Sequence, residues 1–379
     1  MTSTARNLDL PALNGSNPLG FLAALGTLVT LDALGERNAR LAWRRESRWI
    51  PFICGLTDSD SGSVARKIAA DLRGASVPHT AEHGREKAQK KVERARKQLK
   101  DKAAEIKKRK LRGAAREAAI AAEIAPLRAE VETARTEWLA ALRKAIHSPE
   151  LAIGKHLDCS GTEFREHGQS FLAESSTSDR RSIDLLAAFG CDCAPISDER
   201  IAATPFCFIT GSGHQYFLDT ARQLMKRANE EKVAETLFSP WTYRDEKLAM
   251  RWDPIEDRRY ALMDRDPTAS DNKSRTVWMA NLLAYRALSL FSCAPTSRGL
   301  RTTGFGEMET ANYFTWPLWS TPLSSDCIRS VLQWPGLQVK KPDANETFHR
   351  GIAAVFRCRR IQVGNPPLHK INFTPAQAV

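Results

Sequence analysis

Residues 14–35 read NGSNPLGFLAALGTLVTLDALG, and this segment predicts a buried helix. Ser16 or Asn17 can cap the helix, and Pro18 suits its first position because a backbone N–H is not needed there. The rest of the segment is apolar on nearly every side, and Gly35 can end it. A helix without a polar face is surrounded by protein, so we expect a core helix preceded by a rigid turn.

The segments around this helix predict an α+β fold. Residues 41–45 and 49–53 mix aromatic, aliphatic and basic residues, as short paired strands do. Residues 276–293 predict a strongly apolar helix, and residues 313–319 predict an aromatic strand. We therefore expect a mixed N-terminal domain that holds the buried helix and a small antiparallel sheet, an inserted basic antiparallel helical hairpin, and a mostly helical C-terminal part.

A glycine turn lies in the middle of the chain, between a predicted strand over 204–210 and a predicted helix over 214–235. The turn is Gly211-Ser212-Gly213. The free N–H groups at the start of such a helix can bind phosphate. The glycine pattern is shorter than a Walker or dinucleotide fingerprint, however, so a plain strand-to-helix turn is the favoured interpretation.

Residues 82–147 differ in composition from the rest of the chain and consist mainly of Ala, Lys, Arg and Glu, which are good helix formers. From Val92 onward, the apolar residues of the first half fall seven apart and form a thin heptad seam. The second half carries a stronger apolar stripe at steps of three, four or seven. This pattern predicts two long antiparallel helices, with the turn between Gly113 and Pro126.

The net charge of +12 is concentrated in this predicted hairpin. Residues 85–116 contain fifteen Lys or Arg and four Asp or Glu, so the rest of the chain is almost neutral. One interpretation is a solvated arm without a ligand. On a solvated, salt-bridged helix acidic residues balance the basic ones, and here they do not. This imbalance favours a polyanionic partner. The residues that we expect to contact nucleic-acid phosphates are Lys90, Lys91, Arg94, Lys97, Lys107, Lys108, Arg109, Lys110, Arg112, Arg258 and Arg259.

The composition divides the chain into three parts. We predict a mixed α/β body from residues 1–81 and 148–267, the basic hairpin at 82–147, and a helical C-terminal part at 268–379 with a basic tail. The tail carries a second, smaller basic cluster at Arg357, Arg359 and Arg360.

Several protein classes are not expected. The chain has no run of eighteen apolar residues and no secretory signal, so we expect no membrane partner. Its eight cysteines are scattered, which is typical of proteins in the reducing cytoplasm. The spacing of His and Cys matches no structural zinc motif, and nucleophile and Walker motifs are missing. We therefore predict no catalytic residue, no metal and no cofactor.

One enzymatic alternative stays open. Asp253, Glu256 and Asp257 are close enough in sequence to bind a divalent metal, as the carboxylates of nucleases do. Arginines flank them, and carboxylates among arginines more often form salt bridges. The alternative function is a metal-dependent nucleic-acid-processing enzyme.

Five segments resemble the CRISPR-associated Csb-three family, in order and spacing, across most of residues 8–335. They are NPLGFLAALG at 17–26, GSGHQYFL at 211–218, RWDP at 251–254, DRRYAL at 257–262 and FTWPLW at 314–319. The family comprises large subunits of type I-U (also called I-G) CRISPR effector complexes. The segment at 82–147 is not part of the family pattern, so the resemblance implies nothing about its role.

The resemblance implies a non-enzymatic subunit of an RNA-guided surveillance complex (Cascade). Such a subunit reads the short protospacer-adjacent motif on double-stranded target DNA, aids strand separation and recruits the helicase–nuclease, while pairing with the guide crRNA reads the sequence. Its partners are then target DNA, the guide and the other effector subunits of this antiviral defence system. Candidate motif readers are Asn14, Ser16 and Asn17 in the rigid turn, and Arg298 and Arg301 in a glycine loop. A third possibility is an RNA-binding coiled-coil arm on an unrelated body.

Overall fold

A computed structural model describes residues 7–172, 180–197, 200–209, 216–254, 275–363 and 370–379. The chain forms two compact units. The first, called the body, comprises Met1–Gly74 and Ile153–Val379, and the second, called the helical hairpin, comprises Ala75–Ala152. Residues 268–379, which the sequence analysis treats as a separate part, belong to the body. Helices combine with small antiparallel sheets, so the predicted α+β class is confirmed.

The helices of the described residues are α1 (Pro18–Ala33), α2 (Ser61–Arg73), α3 (His79–Lys108), α4 (Gly113–Ala119), α5 (Ala125–Lys144), α6 (Gly161–Leu172), α7 (Arg181–Phe189), α8 (Phe217–Met225), α9 (Glu230–Phe238), α10 (Trp278–Ala287), α11 (Ser325–Leu332) and α12 (Ala344–His349). One turn of π-helix, Ile120–Ile124, joins α4 to α5. Within the described ranges, no helix combines the length and the apolar character that crossing a membrane requires.

The strands are β1 (Leu8–Asp9), β2 (Arg40–Arg45), β3 (Trp49–Cys54), β4 (Gly190–Ser197), β5 (Arg200–Ala203), β6 (Asp245–Glu246), β7 (Arg275–Thr276), β8 (Cys293–Thr296), β9 (Gly299–Thr302), β10 (Phe305–Met308), β11 (Ala311–Trp319), β12 (Ile352–Val363), β13 (Lys370–Phe373) and β14 (Gln377–Ala378). Two sheets organise the body: β1-β3-β2, and β10-β11-β12-β13, in which β14 also pairs with β12.

Helix α1 is the central core helix that the sequence predicts. The side chain of Asn17 caps it by accepting hydrogen bonds from the N–H groups of Leu19 (2.8 Å) and Gly20 (3.1 Å). Nearly all of its residues are buried, and Gly35 follows its end in the left-handed conformation that favours glycine.

Aromatic rings connect α1 to both sheets. The ring of Phe21 lies 5.8 Å from the ring of Trp43 on β2 and 5.8 Å from the ring of Trp316 on β11. The indole N–H of Trp316 donates to the carbonyl of Gly15 (2.8 Å), and that of Trp319 donates to the carbonyl of Leu41 (2.7 Å). These bonds satisfy the polar atoms of two buried indoles and fix the turn before α1 against β11.

The prediction of a mostly helical C-terminal part needs correction, because among its described residues strands β8 to β14 contribute more residues than helices do. The long strand β12 pairs with β11 along Trp319 to Tyr313 and then with β13. Its alternation is hard to recognise because Arg357 occupies a buried position. Arginine is usually exposed, so an arginine at a buried position hides the alternation of buried and exposed residues by which a strand is recognised.

The basic tail also differs from the prediction. Arg357 is buried, and its guanidinium donates to the hydroxyl of Thr315 (2.9 Å) and to the carbonyls of Leu337, Val339 and Lys340 (2.7–3.0 Å). Arg360 donates to the carbonyl of Pro205 (2.9 Å). Burial lowers the pKa of both guanidinium groups. Two of the three tail arginines therefore hold the fold together, and only Arg359 of the three is fully exposed.

Two predictions in the middle of the body are wrong in detail. Residues 204–209 form turns and irregular backbone instead of a strand. The helix predicted over 214–235 is divided into α8 and α9, because residues 226–229 leave the helical path and Asn229 caps α9 by accepting from Lys232 N–H (2.9 Å). The Gly211-Ser212-Gly213 turn lies outside the described residues.

The two long helices of the helical hairpin, α3 and α5, run antiparallel. The ion pairs Lys91–Glu137 and Arg109–Glu123 show this direction, because the sequence numbers rise on one helix as they fall on the other. Val92 of α3 packs with Trp138 and other apolar residues of α5 in a small core. The chain turns at residues 109–112, before the predicted interval of Gly113 to Pro126.

Candidate nucleic-acid interface

One face of α3 carries a continuous run of exposed cations, which we call the outer face of α3. It comprises Lys87, Lys90, Arg94 and Lys97, and the spacing of three, four and three residues places them side by side. They lie on the opposite side of the helix from the buried Val92. Asp101 follows on the same side and ends the run.

The outer face has the dimensions of a phosphate contact. Ten residues of helix extend about 15 Å. Successive phosphates along one strand of a duplex are about 3.4 Å apart on the helix axis, so this length corresponds to about four phosphates. Among the residues that the structure describes, no carboxylate forms an ion pair with any of the four cations.

Two of the predicted phosphate contacts are engaged inside the hairpin. Lys91 pairs with Glu137 (2.6 Å), and Arg109 pairs with Glu105 and Glu123. Lys102 also forms ion pairs with Glu105 (3.0 Å) and Glu123 (2.9 Å). Hydrogen bonds that Arg109 and Lys102 donate to these carboxylates raise the pKa of both cations, and the two cations in turn lower the pKa of Glu105 and Glu123. This network joins α3 to the chain that precedes α5.

The turn of the hairpin carries a second set of exposed cations. Lys107, Lys108, Lys110 and Arg112 all have exposed side chains. Lys110 has a positive φ of 53°, in the left-handed region that L-residues other than Asn and Asp seldom occupy. Lys87 is not among the predicted contact residues, although its spacing of three residues from Lys90 indicates the same face.

The body contains a separate groove of about 730 Å³, which we call the body groove. Arg298 lies in the turn of the β8–β9 hairpin and Arg301 lies on β9, and both line this groove with exposed side chains. Asn312 and Gln338 line it as well. Both side-chain amide atoms of Gln338 are buried and have no hydrogen-bond partner among the described residues. Arginine and amide side chains are the groups that read base edges.

The rigid turn before α1 uses its polar groups internally. The side-chain oxygen of Asn14 accepts from the N–H (3.1 Å) and the hydroxyl (2.9 Å) of Ser16. The Asn17 carbonyl oxygen caps α1, and its amide donates to Asp253 (2.9 Å). These bonds give the turn a structural role, and base reading by Asn17 would require breaking its cap.

Asp253 is buried, and its second carboxylate oxygen accepts from the Tyr243 hydroxyl (2.6 Å). Both oxygens are therefore bound to protein donors, which leaves the carboxylate poorly arranged to hold a metal. Glu256, Asp257, Arg258 and Arg259 lie outside the described residues.

Three other potential ligand groups come together at β4. One ligand atom each from Cys191, Asp192 and Cys193 lies within 4.8 Å of the others. Arg165 already pairs with Asp192 (2.6 Å), and burial raises the pKa of the Cys191 thiol, which disfavours the thiolate that a metal needs. The geometry therefore favours a local ion pair over a metal centre.

No protein-family model matches the chain, and no curated protein matches its sequence at a significant level.

Proposed function

We propose that this chain binds nucleic acid through phosphate contacts of the helical hairpin. The observation that carries the proposal is the outer face of α3, where four exposed cations lie in a row without ion-pair partners among the described residues. Keeping like charges this close costs electrostatic energy in the free protein, and a polyanion removes that cost. The contact is to backbone phosphates, so it does not depend on sequence.

We further propose that the nucleic acid is double-stranded target DNA and that the chain is the large subunit of a type I CRISPR surveillance complex with a guide crRNA. The sequence segments at 17–26, 211–218, 251–254, 257–262 and 314–319 support this assignment. In such a complex the chain reads a protospacer-adjacent motif and recruits a helicase–nuclease, and it needs no catalytic residue of its own. All eight cysteines are free, which fits the reducing cytoplasm.

The body groove is the better candidate for motif reading. An arginine side chain makes two hydrogen bonds to guanine, and an amide side chain makes two to adenine. Arg298 and Arg301 line the groove with exposed side chains that can donate to a base edge, and the buried amide of Gln338 beside them has no hydrogen-bond partner among the described residues. The turn with Asn14, Ser16 and Asn17 has no comparable unsatisfied group among these side chains.

Binding of the full-length chain to labelled duplex DNA tests the hairpin. We expect similar affinity for scrambled sequences, and a loss of about tenfold or more in the variant Lys90→Gln/Arg94→Gln/Lys97→Gln. The matched control Arg37→Gln/Arg66→Gln/Lys341→Gln removes the same charge from exposed sites of the body and should bind nearly as the unmodified chain does. Equal losses in both variants would contradict a role for the outer face.

The same assay separates the alternatives. Tight binding to single-stranded RNA with weak binding to duplex DNA would favour the RNA-binding arm. Cleavage of DNA in the presence of Mg²⁺ that disappears in Asp253→Asn would favour the metal-dependent enzyme. The gene's neighbourhood tests the assembly: a repeat array and genes for other effector subunits would support it, and their absence would contradict it.

A further inference from the structure

A hollow of about 390 Å³ lies at the turn of the helical hairpin, and we call it the tip hollow. Its walls combine apolar and cationic side chains, and no carboxylate lines it. The lining residues are Ala103, Ile106, Lys107, Lys110, Leu111, Arg116, Ile120, Ile124 and Arg128. Such a lining differs from the seam between α3 and α5, which is apolar, and from the outer face of α3, which is cationic.

The backbone is irregular on both sides of the hollow. Proline has no N–H, so Pro126 cannot supply the helical hydrogen bond at its position. The N–H of Ala125 instead bonds to the carbonyl of Ile120, five residues earlier, which inserts the π-turn. At the other side of the hollow, Lys110 turns the chain in a left-handed conformation that is unfavourable for a lysine. Lys110 and the residues Ile120 and Ile124 of the π-turn all line the hollow.

The charge of the hollow is not neutralised locally. Lys102 and Arg109 hold two carboxylates that are close in sequence to lining residues, Glu105 and Glu123. The four cations of the rim are thereby left without an ion-pair partner in the described part of the chain; they are Lys107, Lys110, Arg116 and Arg128. A ligand for this hollow therefore has an apolar body and negative charges on either side.

We infer that the tip hollow receives one unstacked nucleobase, whose flanking phosphates contact the rim cations. This inference rests on the proposed function, because it extends the phosphate contacts of α3 to the turn. A nucleobase has a flat face that packs on apolar side chains and on guanidinium planes, and its phosphates lie at both sides. Ile120 and Ile124 supply the apolar surface, and Arg116 and Arg128 supply the planes.

The size of the hollow favours a base over a protein segment. Its volume is near the lower limit of about 300–1,000 Å³ for sites that bind small ligands. An acidic amphipathic helix needs an elongated groove, because its anchor residues at i, i+4 and i+7 extend over about 10 Å. Unstacking a paired base costs a few kcal/mol, whereas an already unpaired base enters at little cost. The hollow therefore selects DNA that contains an unpaired nucleotide.

The test compares a duplex that carries a one-nucleotide 2-aminopurine bulge with its fully paired twin, using the full-length chain. We expect the bulged duplex to bind roughly fivefold to tenfold tighter, with a change in 2-aminopurine fluorescence. Ile120→Thr should abolish this preference and leave the affinity for the paired duplex unchanged. Leu127→Thr, a half-buried residue outside the lining, is the matched control and should keep the preference.

Lys110→Gly provides a second variant whose fold is safe, because glycine relaxes the left-handed backbone. Lys110→Gly should weaken binding of the bulged duplex more than binding of the paired duplex. Equal affinity of the unmodified chain for both duplexes, with duplex binding otherwise intact, would overturn this inference and leave the proposed function standing. If an acidic helical peptide containing Leu and Glu bound at the tip more tightly than the bulged duplex does, the inference of a nucleobase would be overturned in favour of a protein partner. Failure to bind any nucleic acid would overturn both proposals.

Discussion

Gly26 of α1 lies so close to Leu283 of α10 that a Cβ added to the glycine would be 1.7 Å from the Leu283 carbonyl oxygen. The contact involves the backbone of a buried helix, so no side-chain rotation can relieve it. Helices approach this closely only where one of them lacks a side chain. This close approach sets the distance between the two central helices of the body.

Replacing Gly26 by alanine should therefore destabilise the body by about 3 kcal/mol or more, because the two helices must separate. Urea unfolding measures the change. Gly62→Ala is the matched control, since its added Cβ meets only the Asp60 carboxylate at 3.4 Å. A Gly26→Ala chain as stable as the control would contradict the packing described for α1 and α10.

Asn17→Ala should lower the free energy of unfolding by about 1–2 kcal/mol, because it removes the cap of α1 and one partner of the buried Asp253. Ser16→Ala removes one hydrogen bond to the half-buried Asn14 and should lower the free energy of unfolding by less. Both chains should bind scrambled duplex DNA as the unmodified chain does. A stable Asn17→Ala chain that loses preference for one DNA motif would show that the turn reads bases.

Arg357→Lys should destabilise the body by about 2–3 kcal/mol. Lysine has three donors on one nitrogen and cannot reach all four oxygens that the planar guanidinium contacts. Arg359→Lys, two residues away on β12 and exposed, should have little effect in the same unfolding measurement. Similar stabilities for the two variants would contradict a structural role for Arg357.

The hairpin should lose stability in acid through the network around Arg109. Hydrogen bonds and ion pairing with Arg109 and Lys102 lower the pKa of Glu105 and Glu123, so their contribution is complete above the ordinary carboxyl pKa and is lost as pH falls through the lowered values. Far-UV circular dichroism against pH measures this loss. Glu105→Gln/Glu123→Gln should lack the acid step, whereas Glu117→Gln/Glu130→Gln, at exposed positions of the same unit, should retain it.

The elements that the sequence predicts best are those with a single strong signal. Helix α1 follows from a nearly continuous apolar run between a cap and a glycine. Strand β12 was missed because Arg357 is buried, and only the carbonyls that surround it explain why a guanidinium is tolerated there. Those carbonyls belong to residues 337–340, and local patterns do not reveal contacts between separate segments.

The hairpin shows the same limit. Gly113 and Pro126 break helices, so the sequence placed the turn between them. The structure turns earlier, at a lysine in the left-handed region, and accommodates the proline as a π-turn. The exposed cations of α3 were predictable from spacing. The pairing of Lys91 with Glu137 was not, because 46 residues separate them.

The salt dependence of duplex binding tests the central claim most directly. The slope of log affinity against log salt concentration counts the phosphates that a protein neutralises, at about 0.9 per contact. We expect Lys90→Gln/Arg94→Gln/Lys97→Gln to reduce the magnitude of this slope by about 2–3, and the body control Arg37→Gln/Arg66→Gln/Lys341→Gln to leave it unchanged. An unchanged slope in the hairpin variant would contradict phosphate binding by the outer face of α3.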